Sequence, residues 1–252
     1  MDIFKKAAYK LGKSPKGAIT VIIAAGGSGE RMGGVSKPLI SLCGRPAIEY
    51  SLDAFSACDE VVSIYISAKG GDLTTYYEYI ASGKYPKLKG IVKGGSTRGE
   101  SVENAFLEVF SKEKTDFVAI HDGARPLITP EEIRRAATTA AKYGSGVCAS
   151  MATDTVKRAS FGRCVKESVD REGLWLLSTP QIFDTDIFHT ALSAAKRDGF
   201  SATDDSSLLE HAGFTVMLSE ASRNNIKLTY PEDIVVAEAI LALREGKGGA
   251  DK

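Results

Sequence analysis

Histidine is scarce in this chain, with three in 252 residues, and no nucleophile–base constellation accompanies them. Nothing therefore points to triad-type nucleophilic catalysis. Cysteine is also sparse. Cys43, Cys58, Cys148 and Cys164 form no C-x-x-C pair and no metal-like spacing. Scattered thiols of this kind suit a reducing cytoplasm, where we expect the protein to work. No run of 18 apolar residues occurs, so no membrane span is expected. The opening stretch "MDIFKKAAYKLGKSPKG" has lysines but no apolar core, so it does not read as a secretory signal. Net charge is absent too: 32 basic residues balance 32 acidic ones. Such a balance gives no bulk attraction to nucleic acid or membrane, so any anion site has to be local. There is no internal repeat and no low-complexity stretch.

What is present is an ordinary globular composition, 43% hydrophobic and 25% charged. The length suffices to bury a self-sufficient core. Apolar runs bounded by turn signals recur along the chain. "AITVIIAA" (18–25), "EVVSIYIS" (60–67), "KGIVKGG" (89–95), "DFVAIHDGA" (116–124) and "GVCASMA" (146–152) read as strands. Between them, 47–58, 74–82, 98–110 and 130–144 read as helices. The last has proline and acids in its first turn and glycine after its end. This alternation predicts an α/β fold, a mostly parallel twisted sheet with helices on both faces. Later, "TDIFHTALSAAKRDG" and "SSLLEHAG" read as helices, "FTVMLSE" as a strand and "PEDIVVAEAILALREG" as a closing helix. We read residues 1–17 as an extension, 18–246 as one domain and 247–252 as a flexible tail. In the extension, Ile3, Phe4, Ala7, Ala8 and Leu11 would share one face of a helix.

The pattern changes at about 151–178. "TDTVKRAS" and "CVKESVD" read as two short strands around Phe161-Gly162-Arg163, a protruding β-hairpin arm. Its alternation is polar on both faces. An isolated two-stranded hairpin is marginal in water, so a second subunit is a good candidate for what it leans on.

The stretch "VIIAAGGSGERMGG" (21–34) runs from the first strand into glycines. It is not an ATPase loop, because no Lys-Ser/Thr pair follows the glycines. Nor is it a dinucleotide fingerprint, because Met32 stands where the third glycine belongs. A tight strand-to-helix turn would use glycine as well. Five glycines beside Ser28, Arg31 and Lys37 exceed what a turn needs. Exposed backbone N–H groups next to cations suit phosphates.

That loop resembles the signature of nucleotidyltransferases. "HDGARPLIT" (121–129), "DTVKR" (154–158), "REGLWLLSTPQIF" (171–183), "ATDDSSLLEHAG" (202–213) and "NIKLTYPEDIVVAEAIL" (225–241) follow it. In this order they resemble the 2-C-methyl-D-erythritol 4-phosphate cytidylyltransferase family, across roughly residues 18–243. Ribitol-5-phosphate cytidylyltransferases are a near alternative. A metal-dependent glycosyltransferase is a remote one, disfavoured because "HDGA" supplies one acid where an Asp-x-Asp pair is usual. One departure from the family is Ser36-Lys37-Pro38, which stands where Pro-Lys-Gln is usual and is one residue short.

The resemblance implies a Rossmann-like nucleotidyltransferase fold and a transfer from CTP to a sugar-alcohol phosphate. It implies that backbone of Ala25, Gly26 and Gly27 contacts the nucleotide and that Arg31 and Lys37 hold the triphosphate. Gly95 and Ser101 would read the cytosine edge. Asp122 would lie beside Mg2+ and the acceptor, with Asn225 a second metal ligand. Arg125, Arg171 and Lys227 would serve the acceptor, with Thr155 and Thr179 on its hydroxyls. Thr155 and Arg171 lie in the arm, so the resemblance also implies a homodimer with shared sites. His121 reads as packing, and Asp204 and Asp205 as helix caps.

Overall fold

The computed structural model describes residues 13–27 and 35–248. Residues 1–12, the glycine loop 28–34 with Arg31, and residues 249–252 lie outside the described residues.

The first strand, β1 (Ile19–Ala25), is apolar but for Thr20, because both its faces are covered. Ile19, Val21, Ile23 and Ala25 enter one core layer and Ile22 the other, the two-residue period of a strand. After the loop the chain makes a 3-10 turn, Lys37–Leu39, and a small hairpin of β2 (Ser41–Leu42) and β3 (Arg45–Pro46). Then follow α1 (Ala47–Ser56), β4 (Val61–Ala68), α2 (Leu73–Ser82) and β5 (Leu88–Lys93). Next come α3 (Arg98–Lys112), β6 (Phe117–Asp122), α4 (Pro130–Tyr143) and β7 (Ser145–Met151). Thr129 and Glu132 close a capping box on α4, and Gly144 ends it at φ 86°.

The predicted arm is present as β8 (Val156–Ala159) paired antiparallel with β9 (Val165–Val169), a sheet of its own. Phe161 stands fully exposed at its tip, and Arg163 takes the left-handed turn conformation at φ 62°. Beyond it lie β10 (Trp175–Asp184), α5 (Thr185–Asp198), α6 (Asp205–His211), β11 (Leu218–Glu220) and α7 (Glu232–Gly248).

The main sheet has seven strands in the order β11-β7-β10-β6-β1-β4-β5. All pairings are parallel except those of β10, which runs against both β6 and β7. The sequence pattern does not single out β10, because Pro180 interrupts it. A proline cannot donate to a ladder, and the register with β7 slips between Leu177 and Gln181, where Pro180 sits. The strand predicted over "FTVMLSE" pairs only at its end, as a short edge strand.

Side chains of α1, α2 and α4 pack on one face of the sheet, and those of α3, α5 and α6 on the other. Phe106 of α3 is fully buried and meets Phe188 of α5 edge-on at 4.8 Å. Truncating such a residue to alanine costs about 3–5 kcal/mol. From β1 the chain steps outward to β4 and β5, then crosses back to β6 on the other flank of β1. That reversal opens a crevice at the C-terminal ends of β1 and β6, the usual ligand position in such sheets.

Candidate active site

Ala24 of β1 lies level with Asp122 of β6, so both strand ends deliver their last residues to one crevice. Gly123 turns the chain away there. A Cβ on it would stand 3.1 Å from Pro38 Cγ and 3.2 Å from the Ala24 carbonyl oxygen, so only glycine fits without displacement. The crevice widens into a cavity of about 620 Å³. Gly26, Gly27, Lys37, Ser101, Asp122 and Lys227 line it, which brings together residues from five separate stretches of sequence. Ala25 directs its side chain into the core, and only its backbone is placed to meet a ligand.

The wall opposite β1 is the loop into α3. Thr97 caps the helix by accepting the Glu100 N–H at 3.1 Å. Ser101 Oγ donates to the Thr97 carbonyl at 2.8 Å and accepts the Gly95 N–H at 3.1 Å, so it folds the glycine turn onto the helix start. A Cβ on Gly95 would stand 2.3 Å from Glu100 Cβ, so this turn too has no room for a side chain.

Asp122 is the hub of the opposite wall. Arg98 Nε donates to its Oδ1 at 2.8 Å and Lys227 Nζ to its Oδ2 at 2.7 Å. Arg125 Nε lies 3.8 Å away. Burial alone would push this carboxyl up, but Arg98 and Lys227 outweigh it and hold the group far below the usual carboxylate range. Asp122 is therefore an anion at every ordinary pH.

Behind Asp122 a second layer fixes its backbone. Thr179 Oγ1 accepts the Asp122 N–H at 3.0 Å and meets His121 Nδ1 at 3.1 Å. His121 Nε2 lies 3.1 Å from the Arg125 carbonyl, which can only accept. The proton is thus on Nε2, Nδ1 accepts, and the Thr179 hydroxyl donates to it. His121 is fully buried against Phe55, and burial pushes its imidazole down to about 4. The expected packing role fits: a neutral ring with both nitrogens engaged. Thr179, expected on acceptor hydroxyls, has its hydroxyl engaged by His121 and Asp122 instead. Asn225 donates from Nδ2 to the Thr179 carbonyl at 2.7 Å, and its own carbonyl accepts from Arg125 Nη1 at 2.8 Å. Its Oδ1 is buried and has no partner.

Arg98 and Lys69 are cavity residues that the sequence reading passed over. A signal for Arg98 exists: it is the first residue of α3, where the helix dipole disfavours a cation unless acids surround it. The acid is Asp205. Arg98 Nη1 and Nη2 reach its two oxygens at 3.0 and 2.7 Å. The expected capping role holds for Asp204, which accepts the Ser207 N–H at 3.1 Å, but not for Asp205, which is buried against Arg98. Among the described residues, Lys37, Lys69, Arg98 and Lys227 line the cavity with four cations against the one carboxylate of Asp122. That surplus suits a polyanion. Thr155 and Arg171 stand apart on the arm, where Arg171 donates to the Thr153 carbonyl.

Among the described residues no cluster of three His, Cys, Asp or Glu side chains gathers as a metal cage. The donor set suits a hard cation carried in on phosphates, which needs only one or two protein oxygens. Asp122 faces the cavity with one N–H on each oxygen, and about two further lone-pair sites remain on the carboxylate.

The sequence matches the model of the 2-C-methyl-D-erythritol 4-phosphate cytidylyltransferase family over residues 19–243. It is 37% identical to the protein of that name from Pelotomaculum thermopropionicum, over 91% of this chain and 96% of that one. The one from Halalkalibacterium halodurans is 39% identical over 90% of this chain and 98% of its own. The fold is similar to the crystal structure of 4-diphosphocytidyl-2C-methyl-D-erythritol synthase from Anaerococcus prevotii. There the TM-score is 0.79 at 27% identity, covering 91% of this chain and all of that one. The Thermus thermophilus cytidylyltransferase superposes with a TM-score of 0.71 at 28% identity, over 88% of this chain and 98% of that one.

Proposed function

The chain belongs to the 2-C-methyl-D-erythritol 4-phosphate cytidylyltransferase family, and from that membership we propose how its residues perform the reaction. It is an enzyme that transfers the cytidylyl group of CTP to 2-C-methyl-D-erythritol 4-phosphate, in isoprenoid precursor synthesis. An oxygen of the acceptor phosphate forms a bond to the α-phosphorus of CTP. The bond from that phosphorus to the bridging oxygen breaks, and pyrophosphate leaves. The ribitol and glycosyltransferase alternatives find no support among these relatives.

A phosphate monoester has a second pKa near about 6, so the acceptor is already mostly a dianion at neutral pH. It needs no general base, and the buried, neutral His121 supplies none. The obstacle is repulsion between two polyanions. Two unit charges 4 Å apart repel by about 4 kcal/mol at an effective dielectric near 20. Our reading is that the cavity removes this obstacle with fixed cations and alignment. The observation that carries it is the Asp122–Lys227 pair at 2.7 Å, on the wall of a cavity with four cations.

In this reading the backbone of Ala25, Gly26 and Gly27 and the residues Arg31 and Lys37 hold the nucleotide. Gly95 and Ser101 shape the base pocket. Lys227 and Arg125 receive the acceptor, while Thr179 and Asn225 brace Asp122 from behind. Asp122, with Asn225 as a weaker second, would hold Mg2+. When bound, that ion neutralises charge developing on the triphosphate. The arm completes the acceptor site of a second copy with Thr155 and Arg171, which makes the enzyme a homodimer. Its support is the arm's exposure, with Phe161 bare at the tip and Val165 58% exposed. We place the enzyme in the cytoplasm, where all four of its unpaired cysteines would stay reduced.

The test is pyrophosphate release from CTP with each of two acceptors, 2-C-methyl-D-erythritol 4-phosphate and ribitol 5-phosphate. Turnover is expected with the first. Faster turnover with the second would overturn the substrate assignment.

A further inference from the structure

Arg98 sits between the two halves of the site. It begins α3, whose first turn forms the nucleotide wall, and it grips Asp122 on the acceptor wall. Three of its nitrogens are engaged. Nε meets Asp122, while Nη1 and Nη2 form a two-pronged contact with Asp205. A guanidinium is planar, so seating its fork on Asp205 fixes the direction in which Nε points. Asp205 is itself held. It is 3% exposed in the first turn of α6, and that turn is fastened to β10. Gln181 Oε1 accepts the Ser206 N–H at 2.8 Å, and Gln181 Nε2 donates to Asp204 at 2.9 Å. Five residues thus form a rigid mount ending at one oxygen of Asp122.

The charges explain why such a mount is needed. Asp122 is approached by Arg98, Lys227 and Arg125 together. Lys227 is a flexible ammonium, 41% exposed, and must be free to receive substrate. Arg125 is 3.8 Å away, beyond hydrogen-bond reach. Only Arg98 is bound at both ends. Without its anchor, the Asp122 carboxylate would rotate with whichever cation it follows.

We propose that Arg98 and Asp205 are positioning residues for the transfer reaction: Asp205 orients the Arg98 guanidinium, and Arg98 in turn fixes the Asp122 carboxylate at the meeting point of the two substrates. The proposal rests on the reading of Asp122 as part of the reactive site. Neither residue touches the reacting atoms in this account.

The test is a steady-state comparison of Asp205→Asn, Arg98→Lys, Arg98→Ala and the Arg98→Ala/Asp205→Asn double variant. Both substrates are varied, and Asp122→Asn serves as a control. A misplacement of about 1 Å at a reacting centre lowers rate on the order of 100-fold. Asp205→Asn is therefore expected to lower kcat by about 10- to 100-fold, with the KM for CTP moving less than about two-fold. Arg98→Lys keeps the charge but lacks the fork, and is expected to fall equally far. Asp205→Asn should add less than about two-fold when made in Arg98→Ala, because the two act as one unit. Thermal unfolding of each variant identifies any that is misfolded. Arg98→Lys, which keeps a cation beside the buried Asp205, carries the same expectation if Asp205→Asn fails to fold. A loss confined to the KM for CTP would mean that Arg98 binds nucleotide directly, and overturns the proposal. So does full rescue by lysine. If Asp122→Asn is inactive while Asp205→Asn turns over normally, the positioning couple is refuted and the site reading stands. If Asp122→Asn itself turns over normally, the site reading fails.

Discussion

Lowering the pH from 7 to 5 should destabilise this protein through His121 alone, by an amount the structure fixes. The ring is fully buried, accepts from Thr179 at Nδ1 and donates to the Arg125 carbonyl at Nε2. Burial lowers its pKa from 6.5 to about 4. Between those values the unfolded chain binds a proton that the folded protein refuses, so stability rises with pH through the window and is lost as pH falls. Linkage across the two pKa values gives a loss of about 2 kcal/mol between pH 7 and pH 5. Against a total stability of about 5–15 kcal/mol this is large. The comparison is His121→Asn, whose amide oxygen can stand where Nδ1 accepts from Thr179 and does not titrate. Urea unfolding of both proteins at the two pH values isolates the term. His189, His211 and the carboxylates are common to both and cancel. The wild-type protein should lose about 2 kcal/mol more than the variant. A difference below about 0.5 kcal/mol would mean that the imidazole is not held neutral, and the reasoning from burial would fail.

Two further outcomes follow from the proposed roles. Arg31→Ala should leave the fold intact and lower kcat by about 100-fold or more, because a cation is lost where charge develops; near-normal turnover at saturating CTP refutes its role. Mixing Arg171→Ala chains with Arg31→Ala chains should restore activity toward one site per dimer, since the intact arm of one chain and the intact loop of the other rebuild a single site; confirmed subunit exchange without recovery would show that the arm serves its own chain.

The strands that build the crevice were legible because each carries a strong local signal. In β1 and β6 nearly every residue is apolar, as burial on both faces demands, and Asp122 marks where β6 meets the site. The helix α4 carries its boundaries in Thr129, Glu132 and Gly144. The arm was legible as a hairpin because its strands flank a tight turn, and because it has no apolar face to mistake for a core strand. Its neighbour β10 was not, since Pro180 breaks the pattern and only its pairings with β6 and β7 make it a strand. The Arg98–Asp205 contact escaped for another reason. Its partners are 107 residues apart, and neither has a local oddity beyond a cation at a helix start. Thr179 was read as a substrate contact because a hydroxyl in a motif says nothing of where its proton goes. That is decided by the tautomer of His121, which is set by a carbonyl four residues further on.

The surplus of cations around the cavity bears on the direction of flow. Lys37, Lys69 and Lys227 line the cavity, and ammonium groups of this kind do not distinguish a triphosphate entering from the pyrophosphate left behind. Product should therefore compete with CTP for the same ground. The reverse reaction, in which pyrophosphate attacks the finished diphosphate, should be open as well, because it passes through the same arrangement. Net synthesis then depends on how quickly pyrophosphate is destroyed elsewhere, and a hydrolase that keeps it scarce would govern this step as firmly as any residue in the cavity.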